Sequence, residues 1–361
     1  MFIRPALLAL ALPLASPALA TGVPATGDST VPSDGTVVID ETITLLAYDS
    51  FADGLGEVFA DFTAETGIAV EVALAGDAGT LVQRAVLNAG NPEGDVVFGI
   101  DSTFLSQAID GGVFEPYEAA GLDRISPSLT ALVPAHEATP VDYGDVCVNA
   151  DLEWFDANAI DPPASLEDLT SETYRDLLVV ENPATSSPGL AFMLATFAAF
   201  GEDGWEQYWS DLRSNGVLVV DGWSEAYYER FTWAGGGDRP LVVSYGTSPP
   251  AEVIYADPPV DVAPTAAIEP TCFRQVEFAG VMAGTDQPDA ARRLVDFLAS
   301  PAFQREIALN LFVYPANLDV TLPPEFEQYA LRPEAPHTLD PAAIEANREA
   351  WLETWTDTVL G

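Results

Sequence analysis

The sequence predicts an α/β protein in two parts, each a mixed, mostly parallel sheet flanked by helices, and three observations predict it. The chain has 361 residues, enough for about two cores. Its first third alternates short apolar runs with amphipathic stretches, an order that implies parallel strands joined by right-handed crossovers. A second unit of the same kind begins at Val179-Val180.

Residues 43–47 form the first expected strand, ending at Tyr48-Asp49-Ser50-Phe51. A helix follows, with Leu55, Val58, Phe59 and Phe62 on one face and Gly67 as its stop. Val70, Val72 and Leu74 alternate as a second strand. Residues 81–87 read as a helix, 95–98 as a strand and 103–109 as a helix. Ligands of such sheets bind beyond the carboxyl ends of the strands. Asp49 and Asp101 each follow a strand, so both are expected to face one crevice.

In the second unit, residues 181–189 make a turn that opens an apolar helix from Leu190. A Ser/Thr cluster with Pro188 at a helix start is a cap, and it also presents N–H groups and hydroxyls to an anionic or polar ligand group. Residues 217–220 and 241–244 read as strands separated by Gly222-Trp223-Ser224-Glu225-Ala226-Tyr227-Tyr228. Residues 290–299 form a helix packed by Leu294, Phe297 and Leu298, and a second helix after Ser300-Pro301 leads to Phe312-Val313-Tyr314-Pro315.

Arg4, the apolar run 6–14 and Ser16-Pro17-Ala18-Leu19-Ala20 make a signal peptide over residues 1–20, cleaved after Ala20. The run is too short to span a bilayer comfortably, and no cysteine follows it to carry a lipid. Residues 21–35, rich in Gly, Pro, Ser and Thr, read as a flexible leader. The expected location is periplasmic or extracellular. Cys147 and Cys272 suit that oxidising setting as one disulfide or as two buried thiols.

Arg supplies all 13 basic residues against 56 acidic ones, for a net charge of −43. With no Lys, a Walker A loop and Schiff-base chemistry are excluded, and nucleic-acid binding lacks its basic surface. The acidity solvates an exported surface, or concentrates a cationic ligand, or both. His136 and His337 lie in separate polar loops, zinc-ligand spacing and a Gly-x-Ser-x-Gly elbow are absent, and Gly54-Leu55-Gly56 lacks the third glycine of a dinucleotide fingerprint. Neither enzyme activity, nor a metal, nor a cofactor is expected.

Eight segments in order carry a resemblance: Tyr48 to Phe51, Asp95 to Asp101, Thr185 to Leu190, Gly222 to Tyr227, Ser244 to Pro249, Gln275 to Glu277, Ser300 to Gln304 and Tyr314 to Asn317. With them the chain resembles the thiamine-binding subunits of bacterial ABC importers, within the type II periplasmic solute-binding proteins. The resemblance implies two lobes, 36–142 with 278–361 and 143–277, closing on thiamine or its phosphates. It implies importer permease subunits as partners and a monomer, and it puts Cys147 and Cys272 on strands compatible with a bridge. It places Asp49, Ser50, Asp101, Ser186, Ser187, Gly189, Trp223, Tyr227, Tyr245 and Phe312 at the ligand. A permanently charged thiazolium suits aromatic faces beside a carboxylate, which Trp223, Tyr227, Tyr245 and Phe312 with Asp49 or Asp101 can supply. Ser186 and the N–H groups before Gly189 suit the hydroxyethyl tail or a phosphate. Leu55 and Ala251 stand where the family commonly has aromatics, and Tyr228 and Phe231 are the candidates to replace them. Within the fold, Tyr227-Tyr228 suggests a ferric-iron carrier, although adjacent side chains usually diverge. A polyamine carrier requires more carboxylates near Trp223 than the sequence displays. An extracellular hydrolase is the alternative of a different class.

Overall fold

The computed structural model describes residues 39, 41–49, 51, 55 and 58–361. The expected signal peptide, leader and Ser50 lie outside the described residues. Within them the chain forms β1 (Glu41–Ala47), β2 (Ile68–Leu74), β3 (Val96–Asp101), β4 (Phe114–Glu115), β5 (Thr139–Asp151) and β6 (Leu178–Glu181). β7 (Leu218–Val220), β8 (Leu241–Tyr245), β9 (Thr265–Ala267), β10 (Phe273–Met282) and β11 (Tyr314–Pro315) follow.

These strands join in one sheet of order β2-β1-β3-β10-β5-β8-β6-β7, with β4 on β10 and both β9 and β11 on β5. β1, β2 and β3 run parallel, as do β6, β7 and β8, so each end of the sheet is a crossover α/β set. The antiparallel pair β5 and β10 joins the two sets. β5 is long and buried on both faces, with Asp142, Asp145, Asn149 and Asp151 inside it, which conceals it from an alternation pattern. The division expected at 142/143 and 277/278 falls inside β5 and β10, where Asp142 and Glu277 are register partners.

Local signals explain the helices. Helix Phe59–Thr66 buries Phe59 and Phe62 and ends at Gly67, whose φ of 74° is left-handed. Helix Ala78–Leu87 is capped by the side chain of Asp77, which accepts from the Ala78 N–H. Helix Ser187–Ser214 carries Pro188 in its first turn, buries residues 187–196, and is interrupted at Gly201. Its Trp209 meets Trp355 of the C-terminal helix Pro341–Val359 edge to face, with centroids 5.4 Å apart. One large core runs along these helices, and a second packs β1 and β3 against helix Pro288–Ala299.

Cys147 on β5 and Cys272, immediately before β10, are bonded as a disulfide, and both are fully buried. Beside it Asp145 accepts two hydrogen bonds from Arg274, at 2.6 and 2.9 Å. The two central strands are thus tied covalently and by an ion pair.

Candidate functional site

The carboxyl ends of the parallel strands converge on one acidic region. Asp101 is the last residue of β3 and is fully buried. Its Oδ1 accepts from Thr103 N at 2.7 Å and Thr103 Oγ1 at 2.6 Å, while Oδ2 accepts from Ser187 Oγ at the head of the long helix. Ser187 Oγ in turn accepts from Gln275 Nε2 at 2.6 Å, and the Tyr245 hydroxyl donates a long bond, 3.4 Å, to Gln275 Oε1. This chain connects β3, the long helix, β10 and β8, and so crosses from one strand set to the other.

Asp101 also heads a row of acids. It is the register partner of Glu277, which is the register partner of Asp142, so three carboxyls lie side by side across β3, β10 and β5. Like charges placed directly opposite on a sheet destabilise it, so such a row demands compensation. Tyr48 donates from its hydroxyl to Glu277 Oε2 at 3.2 Å. Gly99, with φ +93°, makes room for Tyr48, because a Cβ there would come within 2.2 Å of the ring. Both Asp142 oxygens are buried without a hydrogen-bond partner. Burial pushes Asp142 up to about 8. It also lifts Glu277 well above the carboxylate range, with the charges of Asp142 and Asp101 adding to the effect. A proton held between Asp142 and Glu277 relieves the repulsion.

That proton gives a stability prediction. Asp142 ionises near 3.9 when unfolded and at about 8 when folded, so the folded chain holds the extra proton across that window. The contribution of Asp142 is complete below pH 4 and is lost as pH rises through 8. Against the parent, Asp142→Asn should therefore gain relative stability as pH rises from 5 to 8, by up to ~1.4 kcal/mol per pH unit. Denaturant midpoints at pH 5, 6.5 and 8 measure it, and parallel curves for the two proteins contradict it. Tyr48, Tyr245 and Asp101 are the other titratable groups around the Asp142–Glu277 pair.

Two acids missed in the sequence obey the strand-end rule that found Asp49 and Asp101. Asp77 lies three residues beyond β2, and Glu181 is the last residue of β6. Burial raises Asp77 to about 6, helped by Asp101 and Asp49. Glu181 is fully buried with neither carboxyl oxygen bonded, and burial and then Asp77 hold it well above the usual range. Asp77 Oδ2 approaches Gly222, the residue before Trp223, so one carboxylate lies near that segment. Asp49 sits exposed at the rim, its Oδ1 accepting from the Gly76 N–H at 2.9 Å. Among the described residues, none of the ion pairs involves Asp49, Asp77, Asp101, Asp142, Glu181 or Glu277.

The remaining candidates divide. Trp223 lies parallel to Tyr227, with centroids 5.0 Å and planes 17° apart, and its Nε1 donates to Ser244 Oγ at 2.9 Å. Tyr245 joins the hydrogen-bonded chain above. Ser186 Oγ is buried without a partner. Tyr227 is buried behind Trp223 and donates to Glu252 Oε1 at 2.6 Å, so it backs the indole. Tyr228, 58% exposed, stands perpendicular to Trp223, while Phe231 is fully buried in the cluster behind it. The two tyrosine rings lie 85° apart, so their side chains do diverge. Gly189 packs where a Cβ would sit 2.6 Å from the Glu181 carbonyl, a role in helix–strand approach. Phe312 packs against Tyr255, with centroids 5.5 Å apart, in the cluster of Tyr314 and Phe326, outside the Asp101 chain. Leu55 is core and Ala251 is half-buried. Among the described residues, no group of three or more His, Cys, Asp or Glu is arranged to hold a metal ion.

A family of bacterial extracellular solute-binding proteins matches residues 91–347. The thiamine-binding periplasmic protein of Escherichia coli K12 is 30% identical over 321 residues, which covers 88% of this chain and 93% of that one. A solved periplasmic thiamin binding protein superposes with a TM-score of 0.77 at 30% identity, over 88% of this chain and 96% of the other. A ferric binding protein from Campylobacter jejuni shares the fold, with a TM-score of 0.70 at 16% identity over 88% and 99% of the two chains.

Proposed function

This chain belongs to the bacterial extracellular solute-binding proteins, and on that basis we propose that it captures thiamine outside the cytoplasm and delivers it to an ABC importer. It works by binding, as a monomer, without turnover. The observation that carries the ligand reading is a set of buried carboxyls beside a fixed indole and two phenols, with no arginine among the described residues paired to them. Buried negative charge without a counter-ion is unfavourable until a cation arrives. Thiazolium is a cation that cannot escape by losing a proton, and its flat rings suit the Trp223 face. Asp101, Asp77 and Glu181 supply the charge, Trp223 and Tyr245 the faces, and Ser186 a hydroxyl.

Two halves bridged by the Asp101–Ser187 bond support a cleft that closes between β3 and the long helix. The similarity to thiamine-binding proteins over most of both chains favours a thiazolium over a polyamine or iron. The test is calorimetric titration of the purified protein with thiamine, with spermidine as control. A one-to-one isotherm tighter than about 1 μM, roughly −8 kcal/mol, is expected for thiamine and none for spermidine. Heat from spermidine alone would remove the thiamine reading.

A further inference from the structure

A surface contact ties the two strand sets together at the far end of a helix that begins in the candidate site. Helix Ser248–Ile254 starts where Ser248 Oγ pairs with Ser244 Oγ at 2.8 Å, and its Glu252 holds Tyr227. Tyr255 follows its last residue, about 10 Å along the axis from Ser248. There the Tyr255 hydroxyl donates to the Leu309 carbonyl at 2.9 Å, and its ring meets Phe312 nearly edge to face, at 76°. Leu309 lies in helix Pro301–Asn310, whose Phe303 and Ile307 sit in the core around β1 and β3. Tyr255 therefore reaches from the β8 side of the sheet to the β1–β3 side. Phe312 has a φ of 55°, in the left-handed region that bulky side chains rarely adopt. Such backbone persists where its surroundings hold it, and here they are Tyr255 and the cluster of Tyr314 and Phe326. Tyr255 is 63% exposed, so this contact can break without opening a core.

We propose that Tyr255 is a latch between the two halves, made when the cleft closes and broken when it opens, that sets how long the bound cation stays; this rests on the reading above that the cleft closes on thiamine. A contact present only in the closed form shifts the population toward that form by its full worth. An edge-to-face ring pair with one neutral hydrogen bond is worth about tenfold in such an equilibrium at an exposed position. Release requires opening, so the gain falls on dissociation and not on encounter. One short helix carries Ser248 and Glu252 and leads directly into Tyr255, so the aromatic platform and the latch are parts of a single element.

Stopped-flow tryptophan fluorescence with thiamine reads both rates for the parent, Tyr255→Phe, Tyr255→Ala and Tyr329→Phe. Tyr255→Ala should release thiamine about tenfold faster than the parent and Tyr255→Phe about threefold faster, with association within about twofold. Tyr329 makes a bond of the same kind, 2.8 Å to the Asp261 carbonyl, that does not involve helix Pro301–Asn310. Tyr329→Phe should therefore leave both rates unchanged. Release from Tyr255→Ala within about twofold of the parent, or a loss carried entirely by slower association, overturns the latch and leaves the thiamine reading standing. Faster release from Tyr329→Phe, equal to that from Tyr255→Phe, overturns it as well. A parent silent toward thiamine, in calorimetry as in fluorescence, removes both. Tyr255→Phe decides the matter by itself if the alanine variant fails to fold.

Discussion

Trp223→Ala is expected to weaken thiamine binding about 30- to 300-fold, or ~2–3.5 kcal/mol, while leaving the fold intact. The indole is set before any ligand arrives. Tyr227 covers one face at 5.0 Å, and the Nε1 hydrogen bond to Ser244 fixes its rotation. Ser244 is itself bonded to Ser248, and Tyr227 is anchored by Glu252, which also holds Trp233. A platform held on three sides loses little freedom on binding, so most of the stacking energy reaches the ligand. Trp223→Phe keeps a flat face without the Ser244 bond and should fall between the parent and the alanine variant. Tryptophan fluorescence or calorimetry reads the series, with a thermal melt confirming the fold. An alanine variant within about threefold of the parent would mean that the cation rests elsewhere.

The second large effect concerns stability. Replacing Cys147 and Cys272 together by Ser opens a loop of 125 residues. In the chain-entropy account this costs about 5 kcal/mol. The chain is long, so the loss appears as a fall of about 7–10 °C in melting temperature. The bond joins β5 to the start of β10, beside the part-buried Arg274–Asp145 pair. Those contacts persist in the variant, so the folded form should still bind thiamine. Reductant should lower the parent's melting temperature and leave the double variant unmoved. A parent indifferent to reductant after full thiol exposure would contradict the assignment of stability to this link.

Much of this architecture was legible in the residues. β1, β2 and β3 lie where short apolar runs alternate with amphipathic ones, and Gly67 stops the first helix as its position suggests. The boundaries moved where a side-chain cap or a polar strand end intervenes: helix Ala78–Leu87 begins at Asp77, and β3 runs on through Gly99 to Asp101. β5 and β10 were hidden for a physical reason. Their centres carry Asp142 and Glu277, so they lack the apolar alternation that marks a half-buried strand.

The candidate site divides in the same way. Asp101, Ser187, Trp223 and Tyr245 could be named because strand ends, a cap and an aromatic motif mark them. Asp77 and Glu181 obeyed the same strand-end rule and were overlooked because a chain with 56 acids makes any one of them inconspicuous. The complete burial of Glu181 and the partial burial of Asp77, which single them out, are tertiary properties. The role of Tyr227 as a backing ring likewise depends on Glu252, which lies 25 residues away and was invisible to local reading.

The measurement closest to the central claim is the thiamine titration repeated at pH 7 in buffers of different ionisation enthalpy. In the empty site, burial keeps protons on Asp142 and Glu277 and raises Asp77 to about 6. A fixed positive charge arriving beside them favours their ionised forms, so binding should release roughly half a proton or more per thiamine. Observed heats that vary linearly with buffer enthalpy, with the sign of proton release, are the predicted result. Heats independent of the buffer would contradict a cation held by buried carboxyls.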